Sequence, residues 1–118
     1  MRNSQINILS AVDTGSATGG AIDVGQIISA SFQVITGDAD AAGTVKLQMS
    51  NDLTLGVPRT NFTPSNWSDI PNATSTVASG VAPPITIASM CYSYIRAIYT
   101  RSGGGSTTIN VNMNVLSV

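Results

Sequence analysis

The chain has 118 residues, five of them Lys or Arg and six acidic, for a net charge of −1. That length holds one ordinary domain and not two. All six acids are Asp, and with no Glu and no His the chain lacks the usual general base near neutral pH and the usual zinc ligands. With 9% charged residues and no basic excess it also lacks the field by which nucleic-acid-binding proteins hold phosphates.

A hydrophobic fraction of 42% and a mean hydropathy of +0.22 place the chain outside the disordered class, which is poor in apolar residues and rich in net charge. Helix-forming residues are scarce: Lys46 is the sole lysine. Val, Ile, Thr, Ser, Asn and Gly fill the chain instead, the mixture of short strands joined by turns.

The first strands are expected at Gln5 to Val12 and Ala21 to Val24, separated by the turn-forming run Asp13 to Gly20. Gln26 to Thr36 alternates, with Ile28, Ala30, Phe32 and Val34 on one face and Ser29, Ser31 and Gln33 on the other. Thr44 to Ser50 alternates Val45, Leu47 and Met49 against Lys46 and Gln48, so Gly37 to Gly43 reads as the turn of a hairpin. Residues 51–65, with Pro58 and Pro64, read as a long loop. Shorter strands are expected at Asn66 to Ile70, Thr74 to Ser79 and Pro84 to Ala88. Ser93 to Thr100 places Ile95, Ala97 and Tyr99 opposite Tyr94, Arg96 and Ile98. Thr107 to Val118 places Ile109, Val111, Met113 and Val115 opposite Thr108, Asn110, Asn112 and Asn114. The Gly/Ser linker at 101–106 then reads as the turn of a second, C-terminal hairpin.

About eight short strands and no helix predict an all-β fold, an antiparallel two-sheet sandwich of jelly-roll type. Residues 1–25 are expected as an N-terminal arm or edge strands, and 26–118 as the β-sandwich, one domain overall. No window approaches the roughly 18 apolar residues of a membrane helix, and Met1 to Leu9 is too short and polar for a signal-peptide core. A soluble chain made in the cytoplasm is expected.

Chemistry finds little material. Without His or Glu no Ser–His–Asp or Cys–His arrangement forms, and the aspartates stand in turn contexts, so no catalytic residue, no cofactor and no metal site is expected. Asp38-Ala39-Asp40-Ala41-Ala42-Gly43 opens like a calcium loop but lacks the third oxygen ligand and the closing Glu. Cys91 stands alone and reads as an inert thiol; the three Asn-x-Ser/Thr triplets, at Asn61, Asn66 and Asn72, read as chance in so Asn- and Thr-rich a chain. Trp67 is either a core anchor or an exposed platform for a sugar or a protein, and Arg96 either a solvated strand residue or an interface arginine. The polar strand faces, with Asn110, Asn112, Asn114, Ser29, Ser31 and Gln33, are rich in hydrogen-bonding groups and nearly uncharged. Such surfaces suit assemblies whose neighbours bury them.

Four stretches carry a resemblance: Val45 to Asp52, Asn66 to Ile70, Tyr92 to Thr100, and the Gly/Ser turn with the Thr/Asn-rich final strand. In order and spacing, over roughly residues 26–118, they resemble small all-β virion proteins of tailed bacteriophages. The same pattern occurs more loosely in discoidin-like carbohydrate-binding modules. The resemblance implies a capsid decoration (cement) protein on the outside of the phage head. Its partner would be the major capsid protein, it would be a homo-oligomer (dimer or trimer), and it would have no nucleic-acid or membrane partner. A carbohydrate- or receptor-binding module of head or tail, with a glycan as ligand, is the alternative. Expected interface residues are Gln5, Ile6, Ile8, Leu9, Trp67, Tyr94 and Arg96.

Overall fold

The computed structural model describes residues 2–12, 15–36, 42–52, 58, 62–77, 85–87, 92–103 and 108–117. Cys91, Asn61, the Asp38–Asp40 pair and Gly104 to Ser106 of the expected 101–106 linker lie outside the described residues, whereas Arg101 to Gly103, expected in that linker, continue a strand. Nine strand segments are described: β1 (Arg2–Val12), β2 (Ala17–Thr18), β3 (Ile22–Asp23), β4 (Ile27–Thr36), β5 (Ala42–Ser50), β6 (Ser68–Val77), β7 (Ile85–Ile87), β8 (Tyr94–Gly103) and β9 (Thr108–Ser117). β2 and β3 pair end to end along β8, at Ala17↔Tyr99 and Ile22↔Ile95, so they act as one interrupted edge strand and the sandwich has eight strand positions.

The strands form two antiparallel sheets. One has the order β1-β9-β4-β7; the other has β2/β3, β8, β5 and β6. The expected all-β sandwich is the observed one. The shortest dimension of the molecule, 21 Å, matches two layers about 10 Å apart plus their outward side chains.

The core lies between the sheets and is built by the alternation read from the sequence. Ile109, Val111, Met113 and Val115 of β9 are buried, with Ala30, Phe32 and Val34 of β4 beside them. Val45 and Leu47 of β5 face them from the other sheet, with Ile95, Ala97 and Tyr99 of β8 and Ile70, Ala73 and Val77 of β6. Burying side chains of this size stabilises by roughly 1.5–3 kcal/mol each. The alternation therefore selects which face of each strand turns inward.

Neither expected hairpin forms. β4 pairs with β9 and β7, and β5 with β8 and β6. β8 and β9, consecutive in the chain, likewise lie in different sheets. Alternation says which face is apolar and nothing about which strand is adjacent. A linker of four to six residues spans roughly 13–20 Å, enough to cross from one sheet to the other.

Two further expectations are corrected by local register. A shift between Ile27 and Ser29 turns Ile28 outward, where it is 40% exposed rather than in the core. The strands expected at 66–70 and 74–79 are one strand, β6, bent where residues 70–73 oppose Leu47 alone. Pro71 falls in that bend, and Asn72 takes φ 60°, a conformation Asn tolerates better than most residues.

Gly43 sits at another register shift, with φ +148°. A Cβ there would run into the Thr100 carbonyl oxygen and press on the Tyr99 ring. Gly43→Ala is expected to destabilise by about 2 kcal/mol or more in urea unfolding. Gly15→Ala, at a site with nothing within 4 Å, should change stability by less than about 0.5 kcal/mol.

Candidate functional site

The outer faces of the two sheets differ in kind. On the four-stranded sheet, cross-strand register builds four outward rows: Asn3–Leu116–Ser29, Gln5–Asn114–Ser31, Asn7–Asn112–Gln33 and Ser10–Asn110–Ile35. Arg2, at one end, is the sole charged residue in the four strands. The amides bond laterally: Asn7 Nδ2 donates to Asn112 Oδ1 at 2.9 Å and to Asn110 Oδ1 at 3.4 Å. Two shallow hollows of about 280 and 100 Å³ open along the rows, the second lined by Gln5, Ser31, Gln33, Asn112 and Asn114 among others. Such a surface hydrogen-bonds readily and can be covered without stripping water from an ion.

The outer face of the five-stranded sheet carries charges and an aromatic cluster. Register aligns Arg96, Gln48 and Asp69 across β8, β5 and β6. Arg96 Nε and Nη2 donate to Gln48 Oε1 at 2.9 and 2.8 Å, and Gln48 Nε2 donates to Asp69 Oδ1 at 2.9 Å. Lys46 Nζ lies 3.2 Å from Asp69 Oδ1. The guanidinium carbon of Arg96 stands 4.3 Å from the centroid of the Trp67 ring, a cation–π contact worth about 0.5–1 kcal/mol at a partly open site. Trp67 is thus neither a core anchor nor a bare platform: it is half-buried, covers Arg96, and donates Nε1–H to the Pro64 carbonyl at 3.3 Å.

Asp52 positions that cluster. Its Oδ2 accepts the backbone N–H groups of Ser65 and Asn66 at 2.9 and 2.8 Å, and its Oδ1 accepts Asn66 Nδ2 at 3.0 Å. These bonds fix the chain just before Trp67. Asp52 N–H donates in turn to Ser50 Oγ at 3.1 Å, and Ser93 N–H donates to Asn51 Oδ1 at 3.0 Å. The backbone hydrogen bond from Asn66, then those from the Asn66 side chain and Ser65, hold the Asp52 carboxyl below the ordinary aspartate range. The hydrogen bonds from Gln48 and then Lys46 do the same for Asp69.

The expected interface residues divide. Gln5 is exposed, while Ile6, Trp67 and Arg96 are half-buried. Ile8 (4% exposed) and Leu9 (6%) are consumed by the core of the chain itself. Tyr94 is 2% exposed; it lies at the end of the Arg96 face, with the Phe62 ring 6.0 Å away. These three leave almost no surface for a partner. Trp67 and Arg96 meet each other, whereas Gln5 and Ile6 lie in the other sheet. Sequence reading missed Asp52, whose signal was the Asn-Asp pair after a strand, a loop-capping pattern. It also missed Asn3 and Asn7, which join the amide rows only through the β1–β9 pairing. Among the described residues no group of three His, Cys, Asp or Glu gathers for a metal.

No protein-family model matches the chain, and no curated protein matches it in sequence. Among solved structures it is similar to the SPBc2 prophage-derived protein YomS. The TM-score is 0.52 and the identity 6%, over 98% of this chain and 94% of that one, a likeness of fold. Looser likenesses are to the K1 and K3 cleaved adhesin domains of Lys-gingipain from Porphyromonas gingivalis. Their TM-scores are 0.46 and 0.47, with 16% and 14% identity over 92% of this chain and 73% and 72% of those.

Because the Asp52 and Asp69 carboxyls are depressed in the folded state, their contribution is present above the ordinary aspartate pKa. It is lost as pH falls through the lowered folded values. Thermal melts from about pH 5 down to about pH 2 should show Tm falling with acid, and Asp52→Asn should flatten that fall. An unchanged acid profile in the variant would remove Asp52 from this role.

Proposed function

We propose that the protein is a structural virion protein, a capsid decoration or cement protein on the outside of a phage head that ties adjacent major capsid subunits together as a dimer or trimer. The observation that carries this reading is the outer face of the four-stranded sheet, whose rows are amides and hydroxyls apart from Leu116 and Ile35, with no charge inside its borders. A free surface of that kind gains nothing from neutrality, whereas a covered one avoids desolvating ions. Likeness of fold to a prophage-derived protein supports the same setting. The reading takes the sandwich as a jelly roll, supported by connections that cross between sheets at nearly every step. It gives the chain no catalytic role and no cofactor.

The mechanism is mechanical. A shell under internal pressure fails where coat subunits meet, and a rigid sandwich bound across that seam must be released before they part. Interfaces of about 1,200–2,000 Å² are typical of specific contacts, and micromolar binding is about −8 kcal/mol per copy. Many equivalent sites multiply that barrier.

Purified protein should co-sediment saturably with undecorated heads. Binding should weaken by less than about threefold between about 0.05 and 0.5 M salt, since few ion pairs contribute. Ser29→Asp, on the neutral face, should weaken binding about tenfold, and Thr76→Asp, on the opposite face, should not. Absence of co-sedimentation over a wide concentration range would overturn the reading. Saturable binding to one sugar class on a glycan array, lost in Trp67→Ala, would favour the glycan-binding alternative instead.

A further inference from the structure

Sheet edges expose unpaired backbone N–H and C=O groups, and natural proteins blunt them with charge, Pro, bulges or brevity. Among the described residues three of the four edges here are blunted. β6 carries Pro71 and the left-handed Asn72 in its bend. The β2/β3 edge is cut into two-residue pieces, and β7 has three residues. β1 is different. It runs 11 residues and pairs with β9 on one side only. Between Asn3 and Val12 it has no charge, no Pro and no Gly, and its bulge falls beyond Asn7, leaving residues 2–7 regular.

We propose that β1 is covered by β1 of a second copy of this chain, paired antiparallel about a two-fold axis at Gln5. The commitment to a second copy rests on how the edge matches itself. Antiparallel pairing centred on Gln5 sets Gln5 opposite Gln5 and Asn3 opposite Asn7, outward residues against outward residues. The Gln5–Asn114 row then continues through Gln5 of the partner into its own Asn114. The two four-stranded sheets become one eight-stranded sheet. On the inner side Ser4 meets Ile6, which is only half-buried in the single chain and gains cover. No like charges meet near the axis, because Arg2 lies three residues from it. Backbone groups thereby gain partners at an edge that, among the described residues, has no other protection.

The inference names the contact behind the oligomer in the proposed function. Its test reads self-association alone, so it fails or stands apart from capsid binding. Sedimentation equilibrium should show mass rising with concentration from the 12.1 kDa of the chain towards twice that value. Gln5→Lys and Gln5→Glu, each alone, place like charges face to face at the axis and should weaken dimerisation at least about tenfold. An equimolar mixture of the two should restore the dimer as a heterodimer. Gln5 is exposed, so circular dichroism and melting of the variants should match the parent.

A parent chain that stays monomeric at every concentration overturns the proposal, as do variants that dimerise like the parent, or a mixture that stays monomeric. Loss of capsid co-sedimentation in Gln5→Lys, with a monomeric parent, would instead assign the edge to a capsid strand.

Discussion

The structure depends on one constraint: two sheets must each turn a continuous apolar face toward the other. β9 and β4 supply Ile109, Val111, Met113, Val115, Phe32 and Val34 from one side, and β5 and β8 supply Val45, Leu47, Ile95, Ala97 and Tyr99 from the other. A one-residue slip in any of these strands would turn its apolar set to solvent, so register and burial enforce each other. Once the inner faces are committed, the outer faces follow without further choice. The amide rows stand on one side and the Arg96–Gln48–Asp69 row on the other because period two leaves those residues nowhere else to point.

The two outer faces show how a chain with few charges distributes them. Lys46, Asp69 and Arg96 share one face, where each has a bonded neighbour and Trp67 covers the guanidinium. Exposed pairs of this kind add little stability individually, about 0–1 kcal/mol. Their effect is positional: with Asp52 holding the chain at Ser65 and Asn66, they set the approach to β6. The opposite face is left to neutral amides, among which Asn7 bonds to Asn112 and Asn110. Neutrality there costs nothing in folding, which depends on the inner face, and makes the surface easy to cover.

Some of this was legible beforehand. The buried set of β9, Ile109 to Val115, and its amide face could be read directly, because a half-buried strand of ten residues repeats its pattern often enough to be unambiguous. Ile28 departs from the alternation because a bulge, invisible in the pattern, moves it to the other side. Sharing a face with Arg96, Tyr94 is expected at the surface. It is 2% exposed, and the Phe62 ring, from a segment far away in the sequence, lies 6.0 Å from its own. Ile8 and Leu9 are expected as partner contacts, yet the bulge in β1 turns both into the core of the chain itself.

The sequence by itself determined the class of structure, the inner face of each long strand and the poverty of charge, since all three follow from residue type and period two. Only the tertiary structure decided which strands are neighbours. Both expected hairpins are replaced by crossings between sheets. The reason is physical: hydrophobic alternation is a local property of one strand, whereas pairing is a choice among all strands with a matching face. That choice is made by the joint packing of the whole core. The same choice brings Asn7 beside Asn112, 105 positions apart, and so creates the neutral face on which the functional reading rests.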